Sequence, residues 1–593
     1  MTRRLSLFVL LLAGLFAPFI NAQQISRPGQ YQGYSEALYD EWVRESLYVV
    51  MRDGVQLAVD IFRPAIDGLA VEEPMPVVWT HTPYRRAFMD ANGNIRMGSD
   101  SATTRTLLRH GYVVALVDTR GRGASQGWRR GFQDRTEAYD AYQMTEWFAM
   151  QPWSDGNIGI SGCSYTGGST FHAASNYSPH LKAIAPGFSD YDKYSFISRG
   201  GIMAQFNTRP EDPGQDYGQG VLPVDADPEG HMRDQALEEH LDSTIMADLW
   251  REIPYRDSYS EEVDSYFWQE VSIANFEQVI EDSGIGVFIW GSFFDEGSFE
   301  ATLAYNNLNN PKHLWMGGWG HCQTADFPMD VEMLRFFDFF LKNIDNGWDE
   351  EDPVYYHSNN ADEGEEWTSS PVWPPAQSKT ISFVLKGDAA VNSPGILRDA
   401  TQPAITLYDE ADSLKVNYNP VCQGEVDMYF LFWPCLMQDH GLAYQTAAMT
   451  EDVHLVGHPL LDLWLSVSQP DTDIFAYMED VAPNGEITIV SHGRLRASHR
   501  AEHPAPYNNY MGLPYHRSHA ADMQPLQVGE PSRMRLDLLP VSYVLKAGHR
   551  LQLRIAGADA RQRFRTVEFE DSPLVSILQD AGMSSQISIS VLD

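Results

Sequence analysis

A chain of 593 residues, 43% of them hydrophobic and 12% aromatic, is globular rather than disordered. It is long enough for roughly two to four domains whose cores need no disulfide or metal staple. Its 81 acidic residues against 42 basic ones set a formal net charge of −39, which repels nucleic acid and anionic membranes, removes both from the expected partners, and keeps the surface soluble.

At the N-terminus, Arg3 and Arg4 precede the apolar run "LSLFVLLLAGLFAPFI", and a small residue follows at Ala22. This is the pattern of a secretory signal peptide over residues 1–22, cut after Ala22. The run is short for a membrane anchor and carries Pro18, and no later segment reaches about 18 apolar residues. The mature chain is expected to be periplasmic or secreted. None of the four cysteines, Cys163, Cys322, Cys422 and Cys435, has CxxC spacing, so no structural metal is expected, and no cofactor. An oxidising compartment leaves a Cys422–Cys435 bridge open.

From about residue 45 strands alternate with helices. "SLYVVMRDGVQLAVDIFRP" reads as two strands around a turn at Asp53 and Gly54. "MPVVWTHTPY", "GYVVALVDTRG", "GNIGISGCS" and "LKAIAPGF" are short, apolar, β-rich runs, as buried parallel strands should be. "DRTEAYDAYQMTEWFAMQ" has helical spacing behind Asp134, a candidate cap. Such alternation implies a parallel sheet covered on both faces, an α/β core over 23–187 and 281–350. Residues 188–280 read as a helical cap insertion with one amphipathic helix, "HMRDQALEEHLDSTIMADLWRE". The sheet resumes at "GIGVFIWGSFFDEG" and "PKHLWMGGWGHC", and "VEMLRFFDFFLKNID" closes it with a helix. Short strands between turn signals then fill 365–593, predicting an all-β sandwich or jelly roll.

The chemistry centres on "GCSYTG", residues 162–167. Ser164 stands where a buried strand turns into a helix, the position of a hydrolase nucleophile, with Gly162 and Gly167 relieving the crowding of a strained turn. The N–H of Tyr165 then faces a developing oxyanion at a helix N-terminus. A serine hydroxyl needs a base, and in this fold an acid and a histidine follow at later strand ends. Asp295 ends "VFIWGSFFD" and His321 follows "HLWMGGWG". Asp295 would orient His321, and His321 would take the Ser164 proton. Taken singly, Asp295 is as readily a helix cap and His321 an ordinary loop histidine; three residues in order at three strand ends argue for a triad.

These motifs, with "MRDGVQLAVDIFRPA", "THTPYRR", "VDTRGRGASQG" and, further on, "GRLRASHR" and "AGHRLQLRI", resemble the CocE/NonD hydrolase family, which spans esterases, acylases and Xaa-Pro dipeptidyl-peptidases. The resemblance covers nearly all of the mature chain. It implies that the core is an α/β-hydrolase fold with a helical cap and a C-terminal jelly roll, and an oxyanion role for the phenol of Tyr84 beside the Tyr165 amide. The sequence departs from the amino-acid ester hydrolases after the triad acid: Asp295 is followed by Glu296 and Gly297 rather than by their ammonium-binding Glu-Asp pair, and Glu296 reads as a solvated loop carboxylate.

The expected function is a serine hydrolase cleaving an ester or amide through an acyl-enzyme, acting on a small molecule or short peptide. The alternatives are an Xaa-Pro dipeptidyl-peptidase and, outside catalysis, a glycan- or polymer-binding protein on a hydrolase scaffold. Cys163 precedes the nucleophile and Cys322 follows the base, so their backbones should approach. A disulfide between them is one hypothesis, but bridge geometry is strict and neighbouring side chains often point apart, so the sequence leaves their pairing open.

Overall fold

The computed structural model describes residues 24–203, 220–324, 327–386, 395–399, 412–424, 432–437, 440–509, 512–562, 565–580 and 582–592. The signal peptide expected over 1–22 lies outside them.

Ten strands of the core sheet follow in chain order: β1 (Glu41–Val50), β2 (Gln56–Ile66), β3 (Met75–Thr82), β4 (Val113–Asp118), β5 (Ser154–Cys163), β6 (Leu181–Gly187), β7 (Gly286–Ser292), β8 (Lys312–Gly317), β9 (Val354–His357) and β10 (Trp367–Ser370). In space they run β10-β9-β8-β7-β6-β5-β3-β4-β2-β1, and the two-residue strand Leu69–Ala70 pairs with β2. Pairing is parallel from β4 through β3, β5, β6, β7 and β8 to β9, and antiparallel at both edges. The middle strands are apolar throughout because both of their faces are covered. Val77 and Trp79 of β3 join Ile158 and Ile160 of β5 in one core, packed with Phe148 and Phe171. Val78, Ala183 and Phe288 face the other way, against Leu108, Phe336 and Phe337. The helices responsible are α1 (Ala102–Arg109) and α10 (Met329–Lys342) on one face, and α2 (Arg135–Ala149), α3 (Tyr165–Ala174) and α9 (Ser298–Asn307) on the other. Asp134 caps α2 as its position suggests, accepting from the Glu137 N–H.

Between β6 and β7 the described residues form five short α-helices: α4 (Lys193–Ser198), α5 (His231–Glu239), α6 (Met246–Glu252), α7 (Phe267–Val271) and α8 (Glu277–Ser283). The single amphipathic helix expected here is broken into α5 and α6. The break is tied to the core: Arg129 donates its N–H to Ser243 Oγ at 2.9 Å, and Thr244 donates to the Arg129 carbonyl at 2.9 Å. Those bonds compete directly with helix continuation. Tyr194, Trp250, Phe267 and Trp268 form a small separate core in this region.

The chain then enters an antiparallel β domain. Its long strand β12 (Val453–Val467) pairs with β15 (Ser532–Asp537), β16 (Val541–Leu545) and β18 (Gln586–Leu592). β18 also pairs with β11 (Lys379–Lys386), and β13 (Asp473–Val481) lies between β14 (Ile487–Arg496) and β17 (Arg550–Ala556). Alternate residues of β12, from Leu461 to Leu465, point into one apolar core with Leu553 and Ile587. The protein is thus a mixed α/β core followed by an antiparallel β domain.

Candidate active site

The spatial order of the sheet reverses around β3: the chain passes from β3 to β4 on one side and then returns to β5 on the other. A crevice opens at such a switch point, at the C-terminal ends of the strands. Tyr84 follows β3 and Ser164 follows β5; Asp295 and His321 follow β7 and β8, so all four sit at this edge.

Ser164 has φ 63° and ψ −127°, a backbone region that side chains rarely occupy and that persists only under tight constraint. The constraint comes from its surroundings. Ser164 donates its N–H to the Gly187 carbonyl at 2.9 Å, and Thr166 Oγ1 bonds both the N–H and the carbonyl of Cys163. The elbow's glycines are sterically required: a Cβ on Gly162 would stand 2.4 Å from the Thr166 backbone, and one on Gly167 2.1 Å from the Gly187 oxygen.

His321 joins the serine to the acid. Its Nε2 lies 2.9 Å from Ser164 Oγ and its Nδ1 lies 2.6 Å from Asp295 Oδ2. Asp295 is buried, and its other oxygen accepts the Gly297 N–H at 2.7 Å. The His321 ring is held on both sides: Phe432 stacks on it at 3.6 Å between centroids, and Phe188 meets it edge-on at 5.4 Å. The phenol of Tyr84 reaches Ser164 Oγ at 3.5 Å, while 52% of the residue remains exposed. The Tyr165 amide is at the first position of α3, where no intrahelical acceptor exists. Its side chain points inward, donating its hydroxyl to Glu137 at 2.5 Å and accepting from the Gln133 N–H at 3.2 Å. Burial raises the Glu137 carboxyl to about 7.

One sequence expectation is corrected, and a pairing the sequence leaves open is resolved. Glu296 is not a solvated loop carboxylate. It is buried and accepts from Arg494 at 2.9 and 3.1 Å and from Arg561 at 3.0 Å. Burial alone would raise its pKa, but Arg494, His492 and Arg561 hold it well below the usual carboxylate range. Cys163 and Cys322 form a disulfide, with Cα atoms 5.9 Å apart. A second disulfide joins Cys422 to Cys435. Among the described residues no cluster of three or more His, Cys, Asp or Glu side chains is arranged to hold a metal ion.

Glu137, Gln133, Phe188 and Phe432 were not foreseen. Phe432 comes from the β domain more than a hundred residues after His321 and carries no local signal. The two cysteines did carry one, in their positions beside the nucleophile and the base.

Two family models match the chain in succession: X-Pro dipeptidyl-peptidase (S15 family) over residues 53–323, and the X-Pro dipeptidyl-peptidase C-terminal non-catalytic domain over 346–564. A CocE/NonD family hydrolase from Staphylococcus aureus superposes with a TM-score of 0.70 at 21% identity, over 93% of this chain and 94% of its own. This chain belongs to the CocE/NonD hydrolase family. As a CocE/NonD hydrolase it is a serine hydrolase, an enzyme rather than a binding scaffold. A Mycobacterium bovis protein provisionally named a serine esterase is 28% identical over 605 residues, covering 91% of this chain and 94% of its own. The cocaine esterase of a Rhodococcus strain is 25% identical over 87% of this hydrolase and 91% of its own length.

Proposed function

We propose that this hydrolase cleaves an ester or amide acyl bond through an acyl-enzyme formed on Ser164. The observation that carries the reading is the pair of contacts on His321, 2.9 Å to Ser164 Oγ and 2.6 Å to Asp295. His321 Nε2 takes the hydroxyl proton as Oγ attacks the carbonyl carbon, and Asp295 holds the ring and stabilises the imidazolium that forms. The oxyanion accepts from the Tyr84 phenol and the Tyr165 N–H. The imidazolium then protonates the leaving group, and the same ring activates the water that releases the acyl group. No step calls on a cofactor.

The family model over residues 53–323 favours a second reading, an Xaa-Pro dipeptidyl-peptidase. That activity needs an acceptor for a free α-ammonium. The carboxylate next to Asp295 is already neutralised by Arg494 and Arg561, which supports an acyl group without such an amine. Purified protein is to be assayed with p-nitrophenyl acetate, Ala-Pro-p-nitroanilide and its N-acetyl form, alongside Ser164→Ala. Hydrolysis of the ester, abolished by Ser164→Ala in a folded protein, is expected; full activity of that variant sinks the assignment. A marked preference for the free amine installs the peptidase reading.

We propose further that the chain is exported and cut after Ala22. The two disulfides suit an oxidising compartment. N-terminal sequencing of the mature protein is expected to begin at Gln23; a retained leader in the cytoplasmic fraction refutes it.

A further inference from the structure

The Cys163–Cys322 disulfide joins the residue before the nucleophile to the residue after the base, across 159 positions of sequence. Ser164 and His321 reach the site on unlike supports. Ser164 is locked between the end of β5 and the start of α3, with its N–H bonded to the Gly187 carbonyl at 2.9 Å. His321 stands on the loop leaving β8, where Cys322 and Gln323 are exposed. Within this loop the Gln323 N–H bonds back to Gly320, at 3.0 Å, and Trp319 donates its N–H to Ser292 Oγ at 2.9 Å. Cys322 itself has φ 58°, a left-handed conformation that a non-glycine residue keeps only where its surroundings over-determine it. Ser164, next to one half of the bridge, and Cys322, its other half, both sit at positive φ, and the bridge ties the two constrained backbones together.

From this placement we infer that Cys163 and Cys322 are positioning residues: their disulfide holds the His321 loop on the nucleophile elbow and so sets the Oγ–Nε2 distance. The inference rests on the roles proposed above for Ser164 and His321. Without the bridge, Cys322 is free to leave the left-handed region and carry His321 with it. A displacement of about 1 Å in a catalytic pair costs on the order of 100-fold in rate. What changes is the Oγ–Nε2 distance, on which the chemical step depends, so the loss is expected on kcat rather than KM. The bridge is also reachable. Cys322 is exposed, and a cavity of about 580 Å3 between the sheet and α1 and α10 has both cysteines in its wall.

The test uses the full mature chain and p-nitrophenyl acetate. Cys163→Ala/Cys322→Ala is expected to lower kcat by about 10- to 100-fold with KM within about threefold, and to slow fluorophosphonate labelling of Ser164 in proportion. Reduction of the wild type with a phosphine, which gives two electrons to the disulfide and leaves as its oxide, is expected to do the same. Oxidised glutathione, taking those two electrons back, restores kcat. A folded double variant with kcat within twofold of wild type overturns the inference. Where that variant does not fold, a wild-type sample whose Cys163–Cys322 bridge is open by mass mapping, yet fully active, overturns it equally. Ser164→Ala separates the two claims: if it is inactive while the cysteine variant is unimpaired, only this inference fails; if it stays active, the catalytic reading fails first.

Discussion

Glu296 follows Asp295 directly in the chain, yet its carboxylate is bound by Arg494 of β14 at 2.9 and 3.1 Å. The β domain thereby grips the loop that carries Asp295. Arg561, itself paired with Asp559 at 3.0 Å, donates to the same carboxylate. All three charged groups are buried, so removing the anion leaves Arg494 short of its counter-charge and Arg561 with Asp559 alone. Breaking a buried pair in this way costs about 3–5 kcal/mol.

Glu296→Gln is therefore expected to lower the melting temperature clearly and to reduce kcat through the neighbouring Asp295. The pH dependence follows from the sign of the shift. The folded carboxyl is held below its ordinary value of 4.5, so its stabilisation is complete above that value and is lost only as pH falls through the lower, folded one. The gap between wild type and variant should stay constant from neutral pH to about pH 5 and close only in stronger acid. Melting curves that coincide at pH 7 defeat the prediction.

Glu137 shifts the opposite way, and its prediction has the opposite slope. Burial raises its carboxyl from 4.5 to about 7, against the lowering effect of the Tyr165 hydroxyl, Arg129 and Ser169. The folded state thus holds this proton more tightly than the unfolded chain. Its contribution is fully present below 4.5 and declines as pH rises through about 7. Glu137→Gln keeps an acceptor for Tyr165 and removes the titration. Measured against wild type, the variant should gain stability between pH 5 and 8, by about 3 kcal/mol at the upper end. Parallel stability curves for the two proteins across that range contradict it.

The contrast between Ser164 and Glu296 shows what a sequence of this kind discloses. A buried parallel strand is an apolar run with an abrupt polar end, so the ends of β5, β7 and β8 are visible as text, and Ser164, Asp295 and His321 fall on them. The three side chains lie within hydrogen-bond distance in space. Glu296 shares the same loop text as Asp295 and looks solvated, because its partners come from β14 and from the segment after β17, each some 200 residues or more away. The break between α5 and α6 was hidden for the same reason. Local periodicity favours one helix, and only the backbone of Arg129 ends it. Cys163 and Cys322 lie between these cases: their adjacency to the site was readable, but whether their side chains converge depends on two backbone angles that spacing does not encode.

Tyr84 tests the oxyanion reading most directly, because its substitution disturbs little else. Its phenol stands 3.5 Å from Ser164 Oγ, and about half of the residue is exposed, so no buried partner is left unsatisfied by its removal. Tyr165 offers no such clean variant. Its contribution is a backbone N–H, and its side chain is tied to Glu137 and Gln133 beneath the elbow. Tyr84→Phe deletes one oxygen and keeps the ring in edge contact with Tyr165. Loss of one oxyanion donor lowers kcat by roughly 100- to 1,000-fold. Because that donor acts on charge that develops only in the transition state, KM should remain within about threefold and the melting temperature unchanged. Steady-state kinetics on p-nitrophenyl acetate and a melting curve measure both. A variant whose kcat stays within threefold of wild type removes Tyr84 from the oxyanion hole and leaves the Tyr165 amide to be matched with a different second donor.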